Sequence, residues 1–258
     1  MTLRSRFLAA FLLLAALPGA RADIPAVIAR ARAYYGPEES LEAIRSIHYR
    51  GRLVSTETDA SGEQKSVEAA IEIIFQKPDQ QRIVATGPEK VEITVLDGYE
   101  GWQRIELVQN QAARRTGLLV KDQVKRLRAN TWEHLSYFKG IEEQGGRVDD
   151  QGQVDLDGRP ARKLAFVHDD EIVFTRYFCT ETGQLLQTET EQGARSTEEG
   201  ELEAGGVRFP RRVITRLPLD GGGQRTVTVE FESVQLNETF PAELFQVPFL
   251  SPRRTVRP

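Results

Sequence analysis

Chemistry in this chain would have to come from few residues. His48, His134 and His168 are the only histidines and Cys179 the only cysteine among 258 residues. No two of them have the spacing of a metal-binding helix motif, and a Cys-x-x-Cys pair is impossible with one thiol. No serine stands in a Gly-x-Ser-x-Gly elbow, so a nucleophile with a built-in oxyanion hole has no sequence support. His48 falls on the polar face of a strand and His168 beside a turn, and both read as surface or hydrogen-bonded imidazoles. Cys179 ends a strand and reads as a buried structural thiol.

The carboxylates offer two further possibilities. Asp149, Asp150, Asp155 and Asp157 crowd one short stretch, but the glycine and terminal glutamate of a calcium-binding EF-hand loop are missing. They are expected in a solvated loop, as are His168-Asp169-Asp170-Glu171 at a hairpin turn. A hydrolase acting on an envelope polymer would need paired acids, and Glu68 or Glu72 across from Glu92 is the available pairing. Exposed strand-face acids explain the same residues. Gly221-Gly222-Gly223 lacks the Lys-Ser/Thr of a phosphate loop and precedes a strand, which makes it a turn. Neither a metal nor a cofactor is therefore expected.

Composition narrows the class. With 40% hydrophobic and 28% charged residues the chain can build a core, and its net charge of −4 argues against a nucleic-acid partner. Arg4 and Arg6, the apolar run from Phe7 to Leu17, and Ala20-Arg21-Ala22 before Asp23 have the form of a cleaved export signal, with the cut after Ala22. Its removal takes three arginines from the 34 basic residues and leaves 31 against 38 acids, a charge of −7. An exported chain without any disulfide fits a bacterial periplasm. Asn237-Glu238-Thr239 matches a glycosylation sequon, a pattern too short to carry weight. The basic stretch 251–258 is expected to be a disordered tail.

The elements that would position any site follow from periodicity. Helical spacing over 24–45 is broken at Gly36-Pro37. Strands then dominate, starting at Ser46. Val67, Ala69, Ile71, Ile73 and Phe75 alternate with Glu68, Ala70, Glu72, Ile74 and Gln76, and Val91, Ile93 and Val95 alternate with Glu92 and Thr94. Residues 117–139 return to helical spacing, with a cationic side that could touch lipid or an acidic partner. Beyond Gly145-Gly146, strands are expected near 153–157, 161–168, 171–179, 184–191, 195–203, 207–216 and 225–235, and a helical turn at Pro241 to Phe245. Trp102 and Trp132 either gate a pocket or fill the core.

The order of several short signals resembles a known family. Phe75-Gln76-Lys77-Pro78-Asp79-Gln80-Gln81-Arg82 is followed by Asp97-Gly98-Tyr99-Glu100-Gly101-Trp102, after a helix and a strand opening Ser46-Ile47-His48-Tyr49-Arg50-Gly51. Later come Asp157-Gly158-Arg159-Pro160-Ala161-Arg162-Lys163-Leu164, Thr182-Gly183-Gln184-Leu185-Leu186 and Phe245. This succession resembles the LolA/LolB-like superfamily of bacterial envelope proteins, which includes periplasmic lipoprotein carriers and a sensor domain of an anti-sigma-factor regulator. The resemblance implies an α+β fold over residues 23–250, a single curved antiparallel β-sheet or half-barrel covered on its concave side by helices. It also implies a monomeric, non-enzymatic periplasmic protein in envelope lipid or lipoprotein trafficking. Such a protein would hold an acyl chain, lipid or lipidated protein in the hollow. Inward residues expected to line it are Ile71, Ile73, Phe75, Val91, Ile93, Val95, Phe166 and Phe174, together with Leu164, Ile172 and Phe178. The alternative is an envelope sensor or adaptor that binds another envelope protein, membrane-bound ones included, without a transported ligand.

Overall fold

The computed structural model of the protein describes residues 23–248, without the side chains of 111 and 112. The expected export signal and the basic stretch 251–258 lie outside the described residues. Helix α1 (Ile24–Tyr35) has Pro25 in its first turn, where a missing N–H costs nothing, and stops at Gly36. Helix α2 (Glu38–Glu42) follows. Six strands then form a meander: β1 (Ser46–Thr58), β2 (Gln64–Gln76), β3 (Gln80–Thr86), β4 (Lys90–Asp97), β5 (Glu100–Leu107) and β6 (Asn110–Leu118). Helix α3 (Lys121–Ser136) leads to β7 (Arg147–Leu156), β8 (Arg159–Asp169), β9 (Ile172–Cys179), β10 (Leu185–Thr190) and β11 (Arg195–Glu199). A small excursion, β12 (Leu202–Ala204) and β13 (Val207–Phe209), precedes β14 (Arg212–Pro218) and β15 (Gln224–Leu236).

Thirteen strands make one sheet in the order β6-β5-β4-β3-β2-β1-β15-β14-β11-β10-β9-β8-β7, with β12 and β13 forming a hairpin of their own. Neighbours in the sheet are antiparallel throughout. Twist accumulates over so many strands and curls the sheet instead of leaving it flat. The result is an open half-barrel whose concave face carries the main apolar cluster, covered by α1 and α3.

Three expectations need correction. The strands expected at 195–203 and 207–216 are each divided, because Gly200 (φ +63°) turns the chain out of the sheet and Gly205-Gly206, both at positive φ, close the β12–β13 hairpin. Residues 100–118, to which patterning assigns no strand, form β5 and β6. Arg114, Arg115 and Gly117 offer no apolar alternation and are ordered by pairing with Glu106, Ile105 and Gln103 of β5. Finally, the acidic group Asp149, Asp150 and Asp155 lies within β7, not in a loop.

Curvature also shows in the central ladder. A bulge between Arg50 and Gly51 shifts the β1–β15 register. Gly51 is required there, since a β-carbon at this position would stand 2.1 Å from the Glu230 carbonyl oxygen. Gly51→Ala is therefore expected to cost about 1–3 kcal/mol in chemical unfolding, whereas an alanine exchange at Gly117, where the added carbon meets nothing within 4 Å, leaves the midpoint nearly unchanged.

The candidate functional site in the concave hollow

Strand register divides the expected lining residues between two faces. Ile71, Ile73 and Phe75 stand opposite Gly51, Tyr49 and Ile47 of β1 on the concave side. Phe166 pairs with Phe174 on the same side, and Leu164 and Phe178 flank them. Val91, Ile93 and Val95 point the other way. Their partners in β3 are Thr86, Val84 and Arg82, which share the face of Glu72 and Ile74. They pack with Ile74, Trp102, Phe245 and Val247 on the convex side. Alternation told which residues of a strand share a face, but not which face of each strand met the helices.

The concave face is filled. Phe138, Phe166 and Phe178 meet at ring separations of 5.0–6.4 Å, and Tyr35 reaches Tyr137 and Phe138. Tyr137 and Phe138 enter the core because both adopt positive φ (47° and 71°) where α3 ends. Arg32 holds this junction. Its guanidinium, almost fully buried, donates to the carbonyls of Ser136 and Tyr137 at 2.9 and 3.0 Å, satisfying groups that α3 leaves open. The same side chain bonds Glu38 and Glu42 of α2 at 2.8 and 3.0 Å. The Arg32 and Lys139 hydrogen bonds hold the Glu38 carboxyl down at about 2.

A polar seam runs beneath the cover. Glu133 of α3 accepts from His168 at 2.6 Å and is ion-paired with Arg176, all three largely buried. Arg176 lies over the Phe138 and Phe166 rings at 4.7 and 4.9 Å. Further along, the Tyr35 hydroxyl donates to Glu198 at 3.0 Å. Burial pushes the Glu198 carboxyl up, against the Tyr35 bond and the Arg176 charge. His168 thus has the hydrogen-bonded role expected of it, and His134 stacks on Phe75 at 4.3 Å. Three of the four lysines and arginines of α3 are paired within the molecule: Lys125 with Asp169, Arg126 with Glu191, and Arg128 with Asp79.

On the convex face, His48 is buried rather than exposed on a polar strand surface. Its ring nitrogens meet Glu238 at 2.5 Å and Glu72 at 3.0 Å, with Phe240 edge-on at 5.3 Å. This clamp, with the Trp102 indole N–H donating to the Phe245 carbonyl at 3.0 Å, holds 237–247 across the sheet. Asn237, at φ 60°, turns the chain there and accepts the Arg45 N–H at 2.7 Å. Glu92 faces the concave side, opposite to Glu68 and Glu72, so the paired acids needed for hydrolysis are not formed. Asp150 is bonded to Arg162 and Asp149 to Arg147. Among the described residues no cluster of three or more His, Cys, Asp or Glu could hold a metal.

Several clefts reach residues of the concave core, and the one that ends at Phe178 passes along α1. About 330 Å³ in volume, it lies between α1 and the β7–β9 hairpins, walled by Ala26, Val27, Phe178, Cys179, Arg30 and Arg162 among others. Cys179 is buried beside it. Burial pushes its thiol up, and hydrogen bonds from Thr182 and Glu181 outweigh that and bring it below its ordinary value. Sequence reasoning found Phe178 for this site but missed Ala26, Val27 and Arg30, whose helical spacing was legible while the strand end facing it was not.

Two outcomes test the helical cover. Glu133→Ala strands Arg176 in the interior and is expected to cost about 3–5 kcal/mol in urea unfolding. The Glu38 carboxyl should titrate at about 2 by carbon NMR instead of the ordinary 4.5. Because its folded value is depressed, its contribution to stability is full above 4.5 and is lost as pH falls toward 2.

No protein-family model matches the sequence, and no curated protein does. Solved structures do match the fold. A LolA superfamily protein of Nitrosomonas europaea aligns at TM-score 0.53 and 12% identity over 88% of this chain and 98% of its own. A DUF1329-family protein of Desulfovibrio piger gives 0.54 at 6% identity, covering 86% and 97%. An outer membrane lipoprotein-sorting protein domain from Vibrio parahaemolyticus gives 0.53 at 9% identity, covering 84% and 95%. Alignment over 84–88% of this chain and 95–98% of those structures gives this open half-barrel the LolA-like fold.

Proposed function

We propose that the protein is a non-enzymatic binding protein of the bacterial periplasm that holds an acyl chain, on a lipid or a lipoprotein, between the curved sheet and its helical cover. The observation that carries this reading is the cleft beside α1, which reaches from the surface to Phe178, a ring of the concave core. Its volume stands at the lower end of ligand sites. An acyl chain entering there gains about 0.8 kcal/mol for each methylene buried. Going deeper requires α1 to lift, and the α1 residues Ile24, Val27 and Ile28 are only partly buried against the core. The widened hollow would be lined by Ile71, Ile73, Phe75, Phe166 and Phe174. Val91, Ile93 and Val95 would stay with the C-terminal packing behind the sheet.

Support for the address comes from the N-terminal export pattern and from a fold shared with a lipoprotein-sorting domain. The reading needs neither metal nor cofactor.

Native mass spectrometry of mature protein, purified from a periplasmic fraction without detergent, should show a discrete added mass that fragments to fatty acyl groups. Ala26→Trp, at an exposed position on the cleft wall, should abolish that added mass while leaving the circular dichroism spectrum intact. A bare wild-type protein that also takes up no added palmitate would overturn the reading.

A further inference from the structure

The two edges of the sheet are built differently. An exposed strand edge invites pairing, and proteins blunt it with bulges, charges or prolines. The β7 edge is blunted by a bulge between Asp150 and Gln153, by Gly152 at φ +94°, and by Asp149 and Asp155. In β6 the irregularity falls before Arg114, Arg114–Leu118 pairs without interruption, and β5 is its only strand neighbour among the described residues.

Backbone geometry shows which groups β6 leaves open. The Leu119 N–H donates to the Gly101 carbonyl at 2.8 Å, directly opposite in the ladder. Antiparallel alternation then turns the N–H and C=O of Arg115 and Gly117 toward β5, and those of Arg114, Thr116 and Leu118 outward. The side chains beside them have a definite character. Arg114 and Arg115 are exposed and form no ion pair among the described residues, on a chain whose overall charge is −4. Leu118 and Val120 are 67% and 64% exposed. A cleft of about 270 Å³, lined in part by Ile105, Gly117 and Leu119, runs along the concave side of this edge.

We infer that Arg114–Leu118 is a docking edge that takes an extended, acidic segment of a partner protein as an added strand. Main-chain hydrogen bonds to Arg114, Thr116 and Leu118 supply the pairing. Carboxylates on the incoming strand meet Arg114 on one face and Arg115 on the other, while small apolar side chains meet Leu118 and the cleft. A local basic edge on an acidic molecule steers such a segment to this edge in preference to β7. The inference is independent of acyl-chain binding, which uses the other end of the concave face.

The test uses a fluorescein-labelled peptide of repeating Glu-Glu-Val-Val, which presents carboxylates and apolar side chains on both faces of an added strand, followed by anisotropy at low salt. Binding is expected, with slowed hydrogen exchange at the Thr116 and Leu118 amides. The double variant Arg114→Glu/Arg115→Glu, at exposed positions, should weaken binding by about tenfold or more. Thr116→Pro, which removes one outward N–H and leaves the β5 ladder whole, should weaken it similarly. No binding, or binding that the double variant leaves unchanged, would overturn the proposal. So would a concentration-dependent dimer, seen by sedimentation and abolished by the double variant, because a second copy would then occupy the edge.

Discussion

The structure depends on one topological constraint: the two outer edges of its sheet are consecutive in the chain. β6 and β7 lie at opposite ends of thirteen strands, yet only residues 119–146 join them. In a flat sheet those edges would be about 58 Å apart, while the sixteen-residue α3 spans about 24 Å. Curling the sheet brings the edges toward each other and lets α3 pass through the hollow as the connection. Sheet curvature and helical cover are thus two aspects of one connection, and the concave face is buried as a consequence.

That arrangement explains where the charged residues inside the molecule sit. A helix ending in the hollow brings open carbonyls into an apolar space, and Arg32 meets them while fastening α2 as well. Glu133, in the middle of the same helix, is matched by Arg176 and His168 from the sheet. Such pairs cost desolvation and recover it only with full partnering. They define one seating of the helices on the sheet, which generic aromatic packing would leave loosely specified. In the proposed binding role, helix contacts would be exchanged for ligand contacts, starting at α1, where Ile24, Val27 and Ile28 are only partly buried.

The convex side is organised by a different device. The C-terminal segment turns at Asn237 and lies across β2 to β5, held by the His48 clamp and the Trp102 indole. Its apolar residues cover Ile74, Ile93 and Val95, so the sheet has an apolar layer on both faces at that end. The clamp uses His48, on the strand face that patterning marked as polar.

Local pattern was enough to read the first four strands of the meander, the position of α3 and most turns, because each depends on neighbours within a few residues. The order of short signals also pointed to the half-barrel. The division of Ile71, Ile73 and Phe75 from Val91, Ile93 and Val95 was hidden, because a period of two does not reveal which face is concave. So were the breaks at Gly200 and Gly206, where positive φ is decisive. The partners of His48, Glu133 and Arg32 could not be read either: they come from 24 to 190 residues away for His48, 35 for the Glu133–His168 pair and as many as 105 for Arg32. Those pairings follow from how the sheet curls and where its connection crosses, which only the tertiary structure decides.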